Sequence, residues 1–195
     1  MFKIIKKEDL KTKQWSGGTT TELFIFPEGS SYEKKDFIYR ISSATVDAEE
    51  SDFTKLEGVS RCIMVLDGEM KLTHKDHHTI NLNKFETDSF DGEWDTKSLG
   101  KVTDFNLMTT NKRWAHIGSS ILKKNETFIT EQLKGFLAVA LYVVKGKIHI
   151  ENPELNDSLE VGDFAVCNSC NDNNAKNTKI IADEYTELAI AIVKE

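Results

Sequence analysis

A ten-residue pattern occurs twice in this chain, and it constrains the fold more than any other feature: Ile63-Met64-Val65-Leu66-Asp67-Gly68-Glu69-Met70-Lys71-Leu72 is matched by Leu141-Tyr142-Val143-Val144-Lys145-Gly146-Lys147-Ile148-His149-Ile150. Each copy runs apolar strand, glycine turn, strand. β-Branched and apolar residues favour a pleated surface, and the glycine supplies a positive φ, so Asp67-Gly68 reads as a hairpin turn. A further segment follows each copy, Phe85 to Phe90 in the first and Leu159 to Phe164 in the second. Two copies of one β unit imply two barrels or sandwiches of the same type, since a solenoid needs about three or more repeats.

The remaining segments agree. Thr19 to Phe26 reads as a strand stopped by Pro27-Glu28-Gly29, and Phe37 to Ser42, Thr79 to Leu82, Val102 to Met108 and Leu188 to Val193 as further strands. Turn signals roughly every ten residues suit an all-β sandwich or barrel. Residues 1–110 are expected to form a first half and 111–195 a second.

Charge and composition narrow the partners. The chain has 195 residues, with 25 Lys and Arg against 32 Asp and Glu, a net charge of −7. That balance argues against nucleic acid, which needs clustered positive charge. The start, Met1 to Asp9, is broken by charge and lacks the apolar core of a signal peptide. The longest apolar run, Phe136 to Val144, is too short for a bilayer. A soluble cytoplasmic protein with no membrane partner is the expectation. Of three cysteines, Cys62, Cys167 and Cys170, the last two have CxxC spacing. An odd count opposes a disulfide framework, and a structural zinc site would need a second ligand pair.

Trp15-Ser16-Gly17-Gly18-Thr19-Thr20-Thr21-Glu22 fills no core by its order. Gly17-Gly18 permits a turn, Trp15 offers a flat apolar face, and the threonines and Glu22 offer hydroxyls and an acceptor. Alternation sets Thr20 and Glu22 on one face with Phe24 and Phe26, and Thr21 on the other with Leu23 and Ile25. The segment is either a hairpin whose Trp plugs a barrel end or one wall of a polar pocket.

Strand, glycine turn, strand, then Val161-Gly162-Asp163 is the layout of a cupin half. With the segment Trp15 to Glu22, Arg40-Ile41-Ser42 with Ala44, Phe53-Thr54, Gly58 with Arg61, and Asp104 to Met108, the chain resembles the HutD/Ves family of small bacterial bicupin-like proteins. These residues cover the first half well and the second hardly at all. Tyr39 stands where the family is expected to carry Trp, keeping the aromatic body. The resemblance implies two cupin-like β-barrel or sandwich halves, a bicupin packed as one globular unit, with a pocket in the first half. The family's name records an association with histidine utilisation.

Arg40 pointing into a barrel loses water, at a cost of several kcal/mol unless a carboxylate answers it. Glu22 and Asp104 are the internal candidates, and a bound anion is the external one. Arg61 is a second clamp, since guanidinium meets carboxylate in a two-pronged geometry. Asp104, Asn106 and Met108 share one strand face; by pattern it either lines the pocket or faces solvent, and the resemblance favours the pocket. The expected ligand-binding set is therefore Trp15, Thr20, Glu22, Arg40, Arg61, Asp104 and Asn106. The partner expected is a small metabolite, a carboxylate or imidazole. The leading reading is a non-enzymatic binder or regulatory accessory protein. A cupin enzyme using Glu22 or Asp104 as general base is the alternative. A third reading is an interaction module whose exposed barrel edge supports a homodimer. No cofactor is expected. Cupins often hold a metal with His-x-His and a Glu on one strand, and that arrangement is missing. His74, His77 and His78 fall in a predicted hairpin loop and read as a solvated turn, His149 reads as a solvent face, and no metal is expected.

Overall fold

The computed structural model describes residues 2–129, 135–168 and 178–194, in nineteen strands and one short 3-10 turn. In chain order the strands begin with β1 (Phe2–Ile5), β2 (Lys11–Trp15), β3 (Gly18–Phe26), β4 (Tyr39–Val46), β5 (Glu50–Asp52) and β6 (Val59–Gly68). They continue with β7 (Met70–His74), β8 (His78–Leu82), β9 (Thr87–Asp91), β10 (Thr96–Leu99), β11 (Val102–Thr110) and β12 (Ala115–Leu122). The last are β13 (Thr127–Ile129), β14 (Ala138–Lys145), β15 (Lys147–Asn152), β16 (Leu155–Glu160), β17 (Phe164–Asn168), β18 (Lys179–Ala182) and β19 (Thr186–Val193). Among the described residues no helix is long and apolar enough to cross a membrane.

The chain divides into two compact units, Lys11–Ile117 and Met1–Leu10 with Gly118–Glu195. The expected boundary at 110/111 thus falls at 117/118. The first ten residues also go with the second unit, because β1 pairs antiparallel with β17, Phe2 opposite Cys167 and Ile5 opposite Phe164.

Within Lys11–Ile117 a six-stranded sheet, β2-β3-β4-β11-β6-β9, accompanies a four-stranded sheet, β5-β10-β7-β8. Val46, Ile63, Val65, Met70, Leu72, Leu82, Phe90 and Val102 form its main core, and Phe37, Leu56, Val59 and Met108 a second cluster. β7 alternates buried and exposed residues, as a strand with one wet face should, whereas β6 is buried over most of its length. The other unit repeats the plan, with sheets β1-β17-β14-β19-β12 and β13-β18-β15-β16 around Val139, Leu141, Ile148, Ile150, Leu159 and Leu188.

The repeated glycine is a corner, not a hairpin turn. β6 pairs with β11 and β9, while β7 pairs with β10 and β8, so Gly68 is where the chain leaves one sheet for the other. Gly146 does the same between β14 and β15. Both adopt a left-handed φ, 83° and 81°. A Cβ would lie 2.5 Å from Lys101 O at Gly68 and 2.3 Å from Tyr185 O at Gly146, so backbone packs where a side chain would stand.

Val161-Gly162-Asp163 is a fastening in this fold. The Asp163 carboxylate accepts from Lys7 N (2.9 Å) and Glu160 N (3.0 Å), holding the segment after β1 against the turn before β17. Cys167 lies in the core of that unit, and Cys170 of the CxxC spacing lies outside the described residues.

Candidate functional site

Strand register assembles the site from residues far apart in sequence. Across β4, β11 and β6, Arg40, Met108 and Arg61 stand in one row, Ser42, Asn106 and Ile63 in the next, and Ala44, Asp104 and Val65 in the third. Alternate residues of a strand share a face, so these nine look the same way.

Glu22 reaches this face opposite Ser42. Between Glu22 and Phe24 the register shifts, leaving Leu23 without a partner across the ladder, and from there the alternation inverts. Ile25 therefore stands opposite Arg40, while Phe24 and Phe26 stack on Tyr39 from the other face at 6.0 and 5.5 Å. Simple alternation placed Phe24 and Phe26 with Glu22; one extra residue in β3 reverses that.

Arg40 is answered within the protein. Its Nε–H donates to Glu22 Oε2 at 2.8 Å, its Nη1 donates to Ser42 Oγ at 3.1 Å, and its Cζ lies 4.8 Å from the centre of the Tyr32 ring. The Glu22 side chain keeps 39% of its exposure, so water screens the pair.

Arg61 is not answered in the same way. It is buried, with its Cζ 4.6 Å from the Phe53 ring and 5.3 Å from the Phe90 ring. Its Nη2 reaches Asn106 Oδ1 only at 3.5 Å, and its buried Nε has no hydrogen-bond partner. Burial pulls its pKa down to about 10, against the attraction of Tyr32 and Asp104. It remains a cation at neutral pH.

Asp104, 3% exposed, receives a hydrogen bond from Asn106 Nδ2. Burial pushes its carboxyl up to about 7, opposed by the Arg61 charge and the Ala44 backbone amide. At neutral pH it exchanges a proton readily, which is the property of a general acid or base. The site thus offers one guanidinium with an open donor, one carboxyl near neutrality and one amide between them.

Of the expected residues, Thr20, Glu22, Arg40, Arg61, Asp104 and Asn106 share this face. Thr20 stands opposite Ala44, in the row of Asp104 but two strands away, about 10 Å. Trp15 is apart: it pairs with Gly18, which stands opposite Val46, and the run from Arg40 to Val46 along β4 is about 20 Å. Its ring folds over Gly17, where a Cβ would meet Cζ3 at 2.2 Å, so it closes the β2–β3 turn. Tyr32 was missed, and nothing in its polar loop signals a contact with Arg40. Phe53, just after β5, stood among the residues of the family resemblance without a role, and Phe90 on β9 carries only the signal of an isolated aromatic in a strand.

A second cluster lies where a solvated turn was expected. β7 ends at His74 and β8 begins at His78, directly opposite, so only Lys75-Asp76-His77 forms the loop. His74 is buried: its Nδ1 is 2.8 Å from Thr96 Oγ1 and its Nε2 is 2.8 Å from Asp88 Oδ2. Nε2 of His78 lies 3.2 Å from the same oxygen. His77 stacks on Trp94 at 3.7 Å. Burial depresses the His74 pKa, against the pull of Asp88.

A family model described as HutD matches residues 7–184. Among solved structures, a conserved protein of unknown function from Pseudomonas aeruginosa PAO1 is similar with a TM-score of 0.83 and 19% identity over 100% of both chains. HutD from Pseudomonas fluorescens SBW25, solved in a formate condition, gives 0.73 and 18% over 100% of both. A bacterial pirin from Escherichia coli in complex with nickel(II) gives 0.71 and 11% over 100% of this chain and 99% of the other. No curated relative matches. At these identities the likeness carries the fold, which is all-β and cupin-like.

Proposed function

The chain belongs to the HutD family, and from that premise we propose that it is a cytoplasmic, non-enzymatic binding or accessory protein connected with histidine utilisation. Its ligand is a small carboxylate or imidazole metabolite, taken up on the Arg40–Arg61–Asp104 face of the Lys11–Ile117 unit. One observation carries this reading: the buried Arg61 guanidinium has an Nε–H with no acceptor. A buried, incompletely paired cation is costly, and a ligand carboxylate at that nitrogen would repay the desolvation. Arg40 differs, because Glu22 already occupies it. Asn106 and Asp104 supply an amide and a protonatable oxygen for a second polar group on the ligand, such as an imidazole nitrogen.

Titration calorimetry with formate, urocanate, formylglutamate, histidine and glutamate tests the proposal. A charge-assisted hydrogen bond is worth about 1.5–3 kcal/mol, so Arg61→Met should weaken the compound that binds by about 10- to 150-fold. Unchanged affinity in a folded Arg61→Met protein refutes the assignment. The pKa of Asp104 near 7 favours a second reading, an enzyme with Asp104 as general base and Glu22 as its alternative. Conversion of the bound compound during the titration, lost in Asp104→Asn, would replace the first reading by the second.

A further inference from the structure

β8 is one edge of the four-stranded sheet, and β9 is one edge of the six-stranded sheet. His74 and His78 stand at the β7–β8 end and Asp88 on β9, so the three meet across the line where these two edges are not hydrogen-bonded to each other. Their ligand-type atoms all lie within 4.8 Å of one another. The group is separate from the Arg61 face: the Phe90 ring lies between, 4.5 Å from the His74 ring and 5.3 Å from the Arg61 guanidinium carbon.

We propose that Nε2 of His74, Nε2 of His78 and a carboxylate oxygen of Asp88 bind a divalent first-row transition-metal ion, with zinc the simplest occupant, and that the ion clasps the β8–β9 edge. Two imidazoles and one carboxylate form a donor set for zinc, cobalt or nickel rather than for calcium or magnesium, which take oxygen ligands. Zinc–ligand bonds of about 2.0–2.1 Å place neighbouring ligand atoms of a tetrahedral site about 3.3 Å apart. The distances of Asp88 Oδ2 from the two nitrogens, 2.8 Å and 3.2 Å, come within about half an ångström of that, a displacement open to side-chain rotation.

The surroundings offer His74 the required form. Thr96 Oγ1, 2.8 Å from Nδ1, also lies 3.4 Å from Trp94 O. When the hydroxyl donates to that carbonyl it accepts from Nδ1–H, and the Nε2 lone pair then faces Asp88. Two lone-pair groups at that distance need a cation between them, a proton or a metal ion. An outer hydrogen bond on the second imidazole nitrogen is how proteins orient histidine ligands, and the Phe90 and Trp94 rings supply the low-dielectric wall such sites have. Of the three ligands, His78, with a side chain 40% exposed, is the one that meets solvent.

The whole chain, stripped with a chelator and dialysed, is titrated with Zn²⁺ and then with Co²⁺. The expected result is one equivalent of Zn²⁺ and a visible cobalt spectrum of a nitrogen–oxygen site. His78→Ala and Asp88→Asn should each weaken binding by about tenfold or more, and His77→Ala should leave it unchanged. His78 is exposed enough for its alanine variant to fold, so it decides the matter if Asp88→Asn does not. Absence of saturable binding, binding indifferent to His78→Ala, or binding lost only in His77→Ala overturns the proposal.

Discussion

Replacing Asp104 by Asn should remove a pH dependence that this carboxyl imposes on the unit. Burial raises its pKa from 3.8 to about 7 in the folded protein. A raised carboxyl pKa means that the folded state holds its proton more tightly than the unfolded state. Below the unfolded value both states are protonated and nothing is lost. As pH rises from about 4 to 7 only the unfolded state releases the proton, so stability falls with increasing pH and levels off above 7. At about 1.4 kcal/mol for each pH unit, the full loss is about 4 kcal/mol, and the part lying between pH 5 and 8 is about 2.5 kcal/mol. Asn keeps the volume and an oxygen for Asn106 Nδ2 but does not titrate. The difference in urea unfolding free energy between wild type and Asp104→Asn should therefore grow in favour of the variant by about 2.5 kcal/mol from pH 5 to pH 8. The attraction between Arg61 and the ionised carboxylate is already contained in that pKa, so its loss in the variant adds no separate pH dependence. Fluorescence follows the right unit, since all three tryptophans, Trp15, Trp94 and Trp114, lie within Lys11–Ile117. A difference flat across this pH range would refute the claim that Asp104 is a buried, desolvated carboxyl.

Other perturbations follow from the same geometry. Arg61→Met, besides losing ligand, should leave the ligand-free protein as stable as wild type or stabler by about 1–3 kcal/mol, because a desolvated cation gives way to an apolar chain of similar length; loss of stability in denaturant melts would count against the orphaned Nε. Gly68→Ala and Gly146→Ala should each destabilise their own unit by about 1–3 kcal/mol, since both need a left-handed φ and close backbone approach. Near-equal melting of wild type and both variants would mean that these corners relax freely. Glu22→Ala should cost about 1–2 kcal/mol by leaving the Arg40 Nε–H without an acceptor, and Glu22→Gln less, because an amide oxygen still accepts.

The family resemblance pointed to the Asp104–Asn106 face as a pocket; chain chemistry alone announced the all-β class, the duplicated unit and which residues of β11 share that face. Each of these rests on local rules. Period-two alternation marks Asp104, Asn106 and Met108 as neighbours on one side of β11, and a glycine after an apolar strand marks a backbone break at Gly68 and Gly146. The same rules misplace what depends on partners. Gly68 reads as a hairpin because the sequence cannot say that its two flanking strands pair with others. Phe24 and Phe26 read on the wrong face because a bulge at Leu23 is a matter of register against β4. Trp15 joins the pocket on residue type, but the pairing of β2 with the start of β3 puts it at the far end from Arg40.

What the sequence determined by itself was the repertoire: strands, corners, and a set of charged and polar side chains with an even period. Tertiary structure decided which of those charges are dry. Arg40 and Arg61 are the same residue type on the two strands that flank β11, yet Glu22 arrives beside the first, and two phenylalanine rings with an unmatched Nε surround the second. His74 and His78 lie four positions apart in what looked like a wet loop, and only the approach of β9 brings Asp88 to both. Desolvation and hydrogen-bond pairing are properties of neighbours across space, so they enter only when the strands have chosen their partners.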